Sequence, residues 1–294
     1  MIVGVVDGRL ARRSAHTIEL LDVPYADLAV ALRAGLDAAT FADADVLHQV
    51  DPGAVTPRAP VGSTAAVWAV GLAYADHAAE AGALPPEHGE LVLPAVFLKA
   101  SSSIAGPEQD IRLPALAATA VDYEGEVAVV IGTAGHMIPE TDGWSHVFGV
   151  TAANDVSARD VQQGRFFGGV QDPSKAKSFD TFTPLGPWVA TPDEFADRDA
   201  IGLRTQVNGE LRQDACTSEL LRPIPALVSA VSQFVTLRPG DVILTGTPAG
   251  VGMALGRYLK AGDEVSVRVD VVGELRNRVA GPARPAGAPP PEGD

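Results

Sequence analysis

The sequence predicts an α+β, β-rich fold: a mixed β-roll or β-sandwich with peripheral helices and a small N-terminal domain. Three observations carry that expectation. From Trp68 onward, short apolar runs separated by turn signals recur, the pattern of sheets built from many short strands. Helical spacing is confined to a few segments that do not alternate regularly with strands, which disfavours a doubly wound parallel sheet. Residues 1–60 carry a strand, turn and helix pattern of their own and run into "DPGAVTPRAPVGST", which reads as a linker.

In chain order, "MIVGVVDGRLARR" reads as a strand that turns at Asp7-Gly8, and "PYADLAVALRAGLDAA" has helical spacing. A second domain is expected over residues 61–280. Its strand candidates are "VFLKA", "VDYEGEVAVVIG", "VFGVTAAND", "DVILTG" and "DEVSVRVDVVGEL", with turns at "RPGD" and "KAGD". Its helical candidates are "YADHAAEAG", part of "PETDGWSHV", and "TSELLRPIPALVSAVSQFV". The tail, residues 281–294, is Pro-rich and expected to be disordered.

With 294 residues, 46% of them hydrophobic and 20% charged, the chain has the make-up of a soluble globular protein with a substantial core. A formal net charge of -15 argues against a nucleic-acid partner, because phosphate binding needs a basic surface. A small anionic substrate remains possible, since a bound metal and a few buried cations can hold it. The single cysteine, Cys216, excludes an internal disulfide framework and any multi-cysteine zinc or iron–sulfur site, and suits a reducing compartment. No apolar run reaches membrane-spanning length, and the first residues lack the basic-then-apolar pattern of a signal peptide. The expectation is a cytoplasmic protein with no membrane partner.

Candidate chemistry begins in "VDYEGEVAVVIG", residues 121–132, where Asp122, Glu124 and Glu126 alternate. Alternate residues of a strand share a face, and the apolar residues that follow suit a buried sheet, where clustered carboxylates repel unless a cation lies between them. Downstream, the run in "TAANDVSARD" ends at Asn154-Asp155 and can bring Asp155 beside a neighbouring strand. Two carboxylates from one strand and a third from another make an all-oxygen site for a hard cation such as magnesium, manganese or calcium. Spacing alone supports a solvated acidic face or ordinary salt bridges equally well. In "YADHAAEAG", His77 and Glu80 are three apart and share a helix face, which suits either a surface pair or a carboxylate-oriented general base.

In order along the chain, "GLAYADHAAE", "FLKASSS", "VDYEGEVAVVIG", "NDVSARDVQ", "KSFDTFTPLGPW" and "TGTPAGVG" resemble the fumarylacetoacetate hydrolase superfamily, over roughly Trp68 to Val279. The resemblance implies a β-roll or β-sandwich of that family's C-terminal type. It nominates Glu124, Glu126 and Asp155 as ligands of Mg2+ or Mn2+, leaves Asp122 outside them, and implies that the metal chelates the carboxylate and 2-oxo or enolate oxygens of a 2-oxo acid. It places His77 and Glu80 on a lid that activates water, and Lys177 and Gln162 in the pocket. Arg159, Lys99, Gly246 and Thr247 follow as substrate-binding candidates. Each of these has a plainer reading: Arg159 as a bridge between acids, Lys99 as a stem covering the sheet edge, and Gly246-Thr247 as a tight loop.

The activity implied is metal-dependent C–C bond hydrolysis of a 1,3-diketo acid of the acylpyruvate or fumarylpyruvate type. Decarboxylation, isomerisation or hydration of a related 2-oxo acid is the alternative, and a noncatalytic 2-oxo-acid-binding protein is the rival from another class. Relatives of this kind commonly form homodimers. The sequence departs from the usual pattern at Ala73, Ala100, Cys216 and a longer stretch after the lid, "GALPPEHGELVLP".

Overall fold

In the computed structural model, the described residues are 1–14, 16–82, 94–117 and 119–282. The greater part of the stretch after the lid, and the tail beyond Pro282, lie outside them.

The strand run from Gly125 to Ile131 explains the centre of the fold, because every one of its residues is buried. Val127, Val129 and Ile131 pack on one side with Leu203, Val267, Val269 and Leu275, while Ala128 and Val130 pack on the other with Leu28, Leu32 and Phe41. A strand covered on both faces has no polar side to show, hence its near-continuous apolar run. It pairs antiparallel with Val147–Asn154 and with Val242–Leu244.

These three strands lie in an 11-stranded mixed sheet. On one flank Val242–Leu244 runs parallel to Val67–Gly71, which pairs with Ala95–Lys99. On the other flank Val147–Asn154 is followed by Thr183–Ala190 and then by the N-terminal meander Ile2–Val6, Arg9–Arg13, Ile18–Leu21 and Val46–Val50. The first strand is thus hydrogen-bonded into the central sheet, with Val3 opposite Val189, and Val3, Val5 and Leu28 share a core with Val130 and Leu244. The hairpin expected at Asp7-Gly8 joins the first two strands, and both turn residues have positive φ.

A second, five-stranded sheet orders Glu210–Cys216, Gly202–Val207, Glu264–Val269, Gly273–Ala280 and Ile111–Arg112. Together with the helix Ile224–Ser232 it covers one face of the large sheet, so the main apolar cluster lies between layers. The β-rich, mixed-sheet expectation holds.

One local expectation does not. "VDYEGEVAVVIG" is not one strand: Val121–Asp122 pairs with Ser157–Ala158 in a separate two-stranded ribbon, and the sheet strand begins only at Gly125. The chain breaks at Tyr123-Glu124 because side chains take its backbone donors. Asn154 Oδ1 accepts from Glu124 N at 3.0 Å, and Gln213 Oε1 accepts from Gly125 N at 3.0 Å. No helix among the described residues is long and apolar enough to cross a membrane.

Candidate active site

The break at Tyr123-Glu124 separates the acidic row. Glu124, Glu126 and Asp155 each offer an oxygen within 4.8 Å of the others, and all three are buried. Asp155 reaches them because Val147–Asn154 is the neighbour of Gly125–Ile131 and ends beside Glu124, whose carbonyl accepts from Asp155 N at 2.8 Å. Asp122 turns the other way. Its carboxylate accepts from the backbone N–H groups of Gly252 (2.7 Å) and Met253 (2.9 Å) and from Arg159 Nε (2.8 Å).

Buried cations surround the cluster. Lys177 Nζ donates to Glu124 Oε2 at 2.5 Å and to Asp155 Oδ2 at 2.7 Å. Lys99 Nζ donates to Asp155 Oδ1 and, at 3.0 Å, to the carbonyl of Phe182. Arg159 Nη2 lies 2.7 Å from Glu124 Oε1 and 2.8 Å from Asp122 Oδ2, while Nη1 donates to Gln162 Oε1 at 2.9 Å. Glu126 has no such partner among the described residues and accepts only from Gly246 N, at 2.6 Å.

The electrostatics follow from that census. Burial pushes the Glu126 carboxyl well above the ordinary glutamate range, and the charges of Asp155 and Glu124 add to the push. Burial acts the same way on Glu124, but the charges of Lys177 and Arg159 outweigh it and hold Glu124 below the ordinary range. Lys177 is held protonated: desolvation would lower its pKa, and Asp155 and Glu124 more than reverse this. Desolvation prevails at Lys99, whose pKa is lowered despite Asp155.

Four buried carboxylates, Asp122, Glu124, Glu126 and Asp155, therefore face three buried cations, Lys99, Lys177 and Arg159. The carboxyl left without one of these cations as partner is Glu126, which needs a further cation to be held ionised beside two other carboxylates. An all-oxygen set with this imbalance fits a hard divalent cation such as Mg2+ or Mn2+.

The helix Ala75–Glu80 brings the other pair together. His77 Nδ1 lies 3.1 Å from Glu80 Oε2, and Glu80 Oε1 accepts from Gly250 N at 3.0 Å, so the loop after Val242–Leu244 anchors the carboxylate. His77 is 7% exposed and lines a cavity of about 360 Å³ together with Glu124, Arg159, Gln162, Lys177 and Thr247. Its apolar wall comes from Val70, Leu72, Ala81, Ala95, Phe97 and Met253. A larger hollow of about 750 Å³ near Phe179 holds none of the clustered carboxylates.

The structure thus gathers His77, Glu124, Lys177, Gln162, Arg159 and Thr247 at one cavity, with Glu80, Glu126 and Asp155 immediately behind it. Three nominated residues have different surroundings from those expected of a substrate contact. Lys99 is fully buried behind Asp155 and is absent from the cavity wall. The Gly246 N–H is taken by Glu126. Thr247 Oγ1 donates to the carbonyl of Gly125 at 2.9 Å and accepts from Gln213 Nε2 at 2.7 Å, which leaves its hydroxyl no proton for a ligand. Arg159 combines both readings, bridging Asp122 and Glu124 while lining the cavity. Sequence reasoning assigned no role to Asn154, although it opens the motif "NDVSARDVQ", or to Gln213, which lies on the polar strand Glu210–Cys216 with no motif signal.

Comparison with known proteins identifies the family and the fold. The family model "Fumarylacetoacetate (FAA) hydrolase C-terminal" matches residues 66–280. A mitochondrial oxaloacetate tautomerase of Bos taurus is 45% identical over 227 residues, 76% of this chain and 69% of that one. The crystal structure of 5-carboxymethyl-2-hydroxymuconate delta-isomerase from Mycobacterium smegmatis superposes with a TM-score of 0.75 at 34% identity, over 96% of this chain and 100% of that chain. That of maleylpyruvate hydrolase from Sphingobium sp. SYK-6 does so with a TM-score of 0.76 at 28% identity, over 96% and 100% of the two chains. Relatives with one fold thus catalyse hydrolysis, isomerisation and tautomerisation, and on the match across residues 66–280 this chain belongs to the fumarylacetoacetate hydrolase family.

Proposed function

We propose that the protein is a divalent-metal-dependent hydrolase of the C–C bond in a 1,3-diketo acid of the acylpyruvate class, with an uncharged distal acyl group. The observation that carries this reading is the His77–Glu80 pair at a cavity that His77 lines together with Glu124 of the acid cluster, Lys177 and an apolar wall. Glu124, Glu126 and Asp155 would hold the Mg2+ or Mn2+ ion, which supplies Lewis-acid stabilisation of negative charge on the oxo-acid oxygens.

The chain's own residues supply the rest. Glu80 accepts from Nδ1 of His77, so the ring keeps its proton there and leaves Nε2 as a base. That base takes a proton from a water whose oxygen bonds to the distal carbonyl carbon. Lys177, with one N–H not committed to a carboxylate, and Gln162 stabilise the resulting oxyanion. Collapse breaks the C–C bond, and protonation of the departing carbon gives pyruvate and a carboxylic acid. The wall formed by Val70, Leu72, Phe97 and Met253 suits an alkyl or aryl distal group. The two cations of the described wall, Arg159 and Lys177, are already engaged with carboxylates, which disfavours a second carboxylate there.

Keto–enol exchange of an oxaloacetate-like acid is the second reading, favoured by the identity to the tautomerase. The same His77 would then move a proton on carbon. Turnover of acetylpyruvate, longer acylpyruvates and oxaloacetate, with and without magnesium or manganese, separates the readings. Pyruvate from an acylpyruvate, with loss of diketone absorbance, supports hydrolysis. Enol–keto exchange of oxaloacetate without pyruvate from acylpyruvates would replace it with the second reading. Tight 2-oxo-acid binding with no product from any substrate would point to a noncatalytic protein.

The proposal includes a homodimer in the cytoplasm. Sedimentation at micromolar concentration should give twice the chain mass, and a monomer would refute the dimer.

A further inference from the structure

Asp122 belongs to the acidic row by sequence but not to the metal cluster by position, and its surroundings suggest another task. It is fully buried, and its two oxygens accept from Tyr123 N (2.9 Å), Gly252 N (2.7 Å), Met253 N (2.9 Å) and Arg159 Nε (2.8 Å). We infer that Asp122 is a positioning residue which, through Arg159, turns the Gln162 amide so that its NH2 group faces the cavity as a hydrogen-bond donor.

The argument turns on hydrogen-bond polarity. A guanidinium only donates, so the Gln162 atom 2.9 Å from Arg159 Nη1 is the carbonyl oxygen. The amide nitrogen is left at the other end, on a residue that lines the cavity, with no acceptor among the described residues. Gln162 can therefore offer a substrate two N–H donors, while its carbonyl oxygen is turned toward Arg159.

Arg159 keeps this arrangement only while it is held from both sides. Its Nη2 sits between Asp122 Oδ2 at 2.8 Å and Glu124 Oε1 at 2.7 Å. Without the Asp122 charge, the guanidinium would be drawn toward Glu124 and away from Gln162.

What the amide meets rests on the hydrolase reading; the relay itself does not. The test compares Asp122→Asn, Gln162→Ala, the double variant and Gln162→Glu in kcat and KM for an acylpyruvate, alongside crystal structures of wild type and Asp122→Asn. Each single change should lower kcat/KM by about tenfold. The double variant should be no worse than Gln162→Ala alone, because Asp122 acts through a side chain already removed. Additive losses would show that Asp122 merely braces the fold and would overturn the relay.

Gln162→Glu places an acceptor where the donor stood, on a half-buried residue. It should lose at least as much as Gln162→Ala, and wild-type kinetics would overturn the donor assignment even if Asp122→Asn fails to fold. Should wild type turn over none of the substrates, the hydrolase reading fails and the crystal structures still decide. A Gln162 amide detached from Arg159 in Asp122→Asn supports the relay, and one left in place refutes it.

Discussion

On the proposed function, His77 is the residue whose chemistry would distinguish an enzyme from a binding protein. Its ring is fixed by Glu80, which Gly250 fixes in turn. Replacing His77 with alanine should lower kcat by about 10²–10⁴-fold, the usual contribution of a positioned general base, and leave the metal dissociation constant unchanged in calorimetry. Lys177 should give the opposite signature. Its ammonium sits between Glu124 and Asp155, where a metal would also draw charge. Lys177→Met should therefore tighten Mg2+ or Mn2+ binding by about tenfold while turnover falls. Weaker metal binding would mean that the ammonium organises the ligands rather than competing for them.

Glu126 sets a pH dependence at the same scale. In the metal-free protein its pKa is raised by burial and by Asp155 and Glu124. A raised folded-state pKa contributes stability that is fully present below the ordinary glutamate range and is lost as pH rises through the folded value. Metal binding needs the proton gone, so affinity should rise with pH over that same window. The increase in melting temperature on adding magnesium should accordingly grow as pH rises above the ordinary glutamate range, as read by calorimetry. An increase independent of pH would show that Glu126 is ionised without the metal.

Among the elements, the turn into the short helix Gly252–Leu255 is tightly constrained. A Cβ on Gly252 would lie 2.5 Å from both the Arg257 carbonyl and Asp122 Oδ1. Gly252→Ala should cost about 1–3 kcal/mol by urea unfolding, and it should also lower activity because the displaced carboxylate is the one that holds Arg159. Loss of stability with full activity would separate the turn from the site. The strand Gly125–Ile131, the hairpin at Asp7-Gly8 and the helix Ala75–Glu80 were legible, because their periodicity and turn residues are local. The break at Tyr123-Glu124 was not. It is imposed by Asn154 and Gln213, 30 and 88 residues away from the backbone groups they bind.

Across the whole molecule, the central sheet carries both the N-terminal meander and the strands that hold the acid cluster. Residues 1–60 looked separate in sequence because their pattern is self-contained, while edge-to-edge pairing of Val3 with Val189 leaves no local trace. The sequence by itself determined the β-rich class, and its motifs, through their resemblance to the family, nominated Glu124, Glu126 and Asp155 as one carboxylate cluster and His77, Glu80 and Lys177 as residues near it. Those signals are short-range spacing and residue type within motifs. Only the tertiary structure decided that Asp122 leaves the acidic row, that Lys99 braces Asp155 from behind, that Gly246 serves Glu126, and that the Thr247 proton is already committed. The reason is that a hydrogen bond between distant strands is fixed by the register of the sheets and by which buried donor has no nearer acceptor, and neither is written in the neighbouring residues.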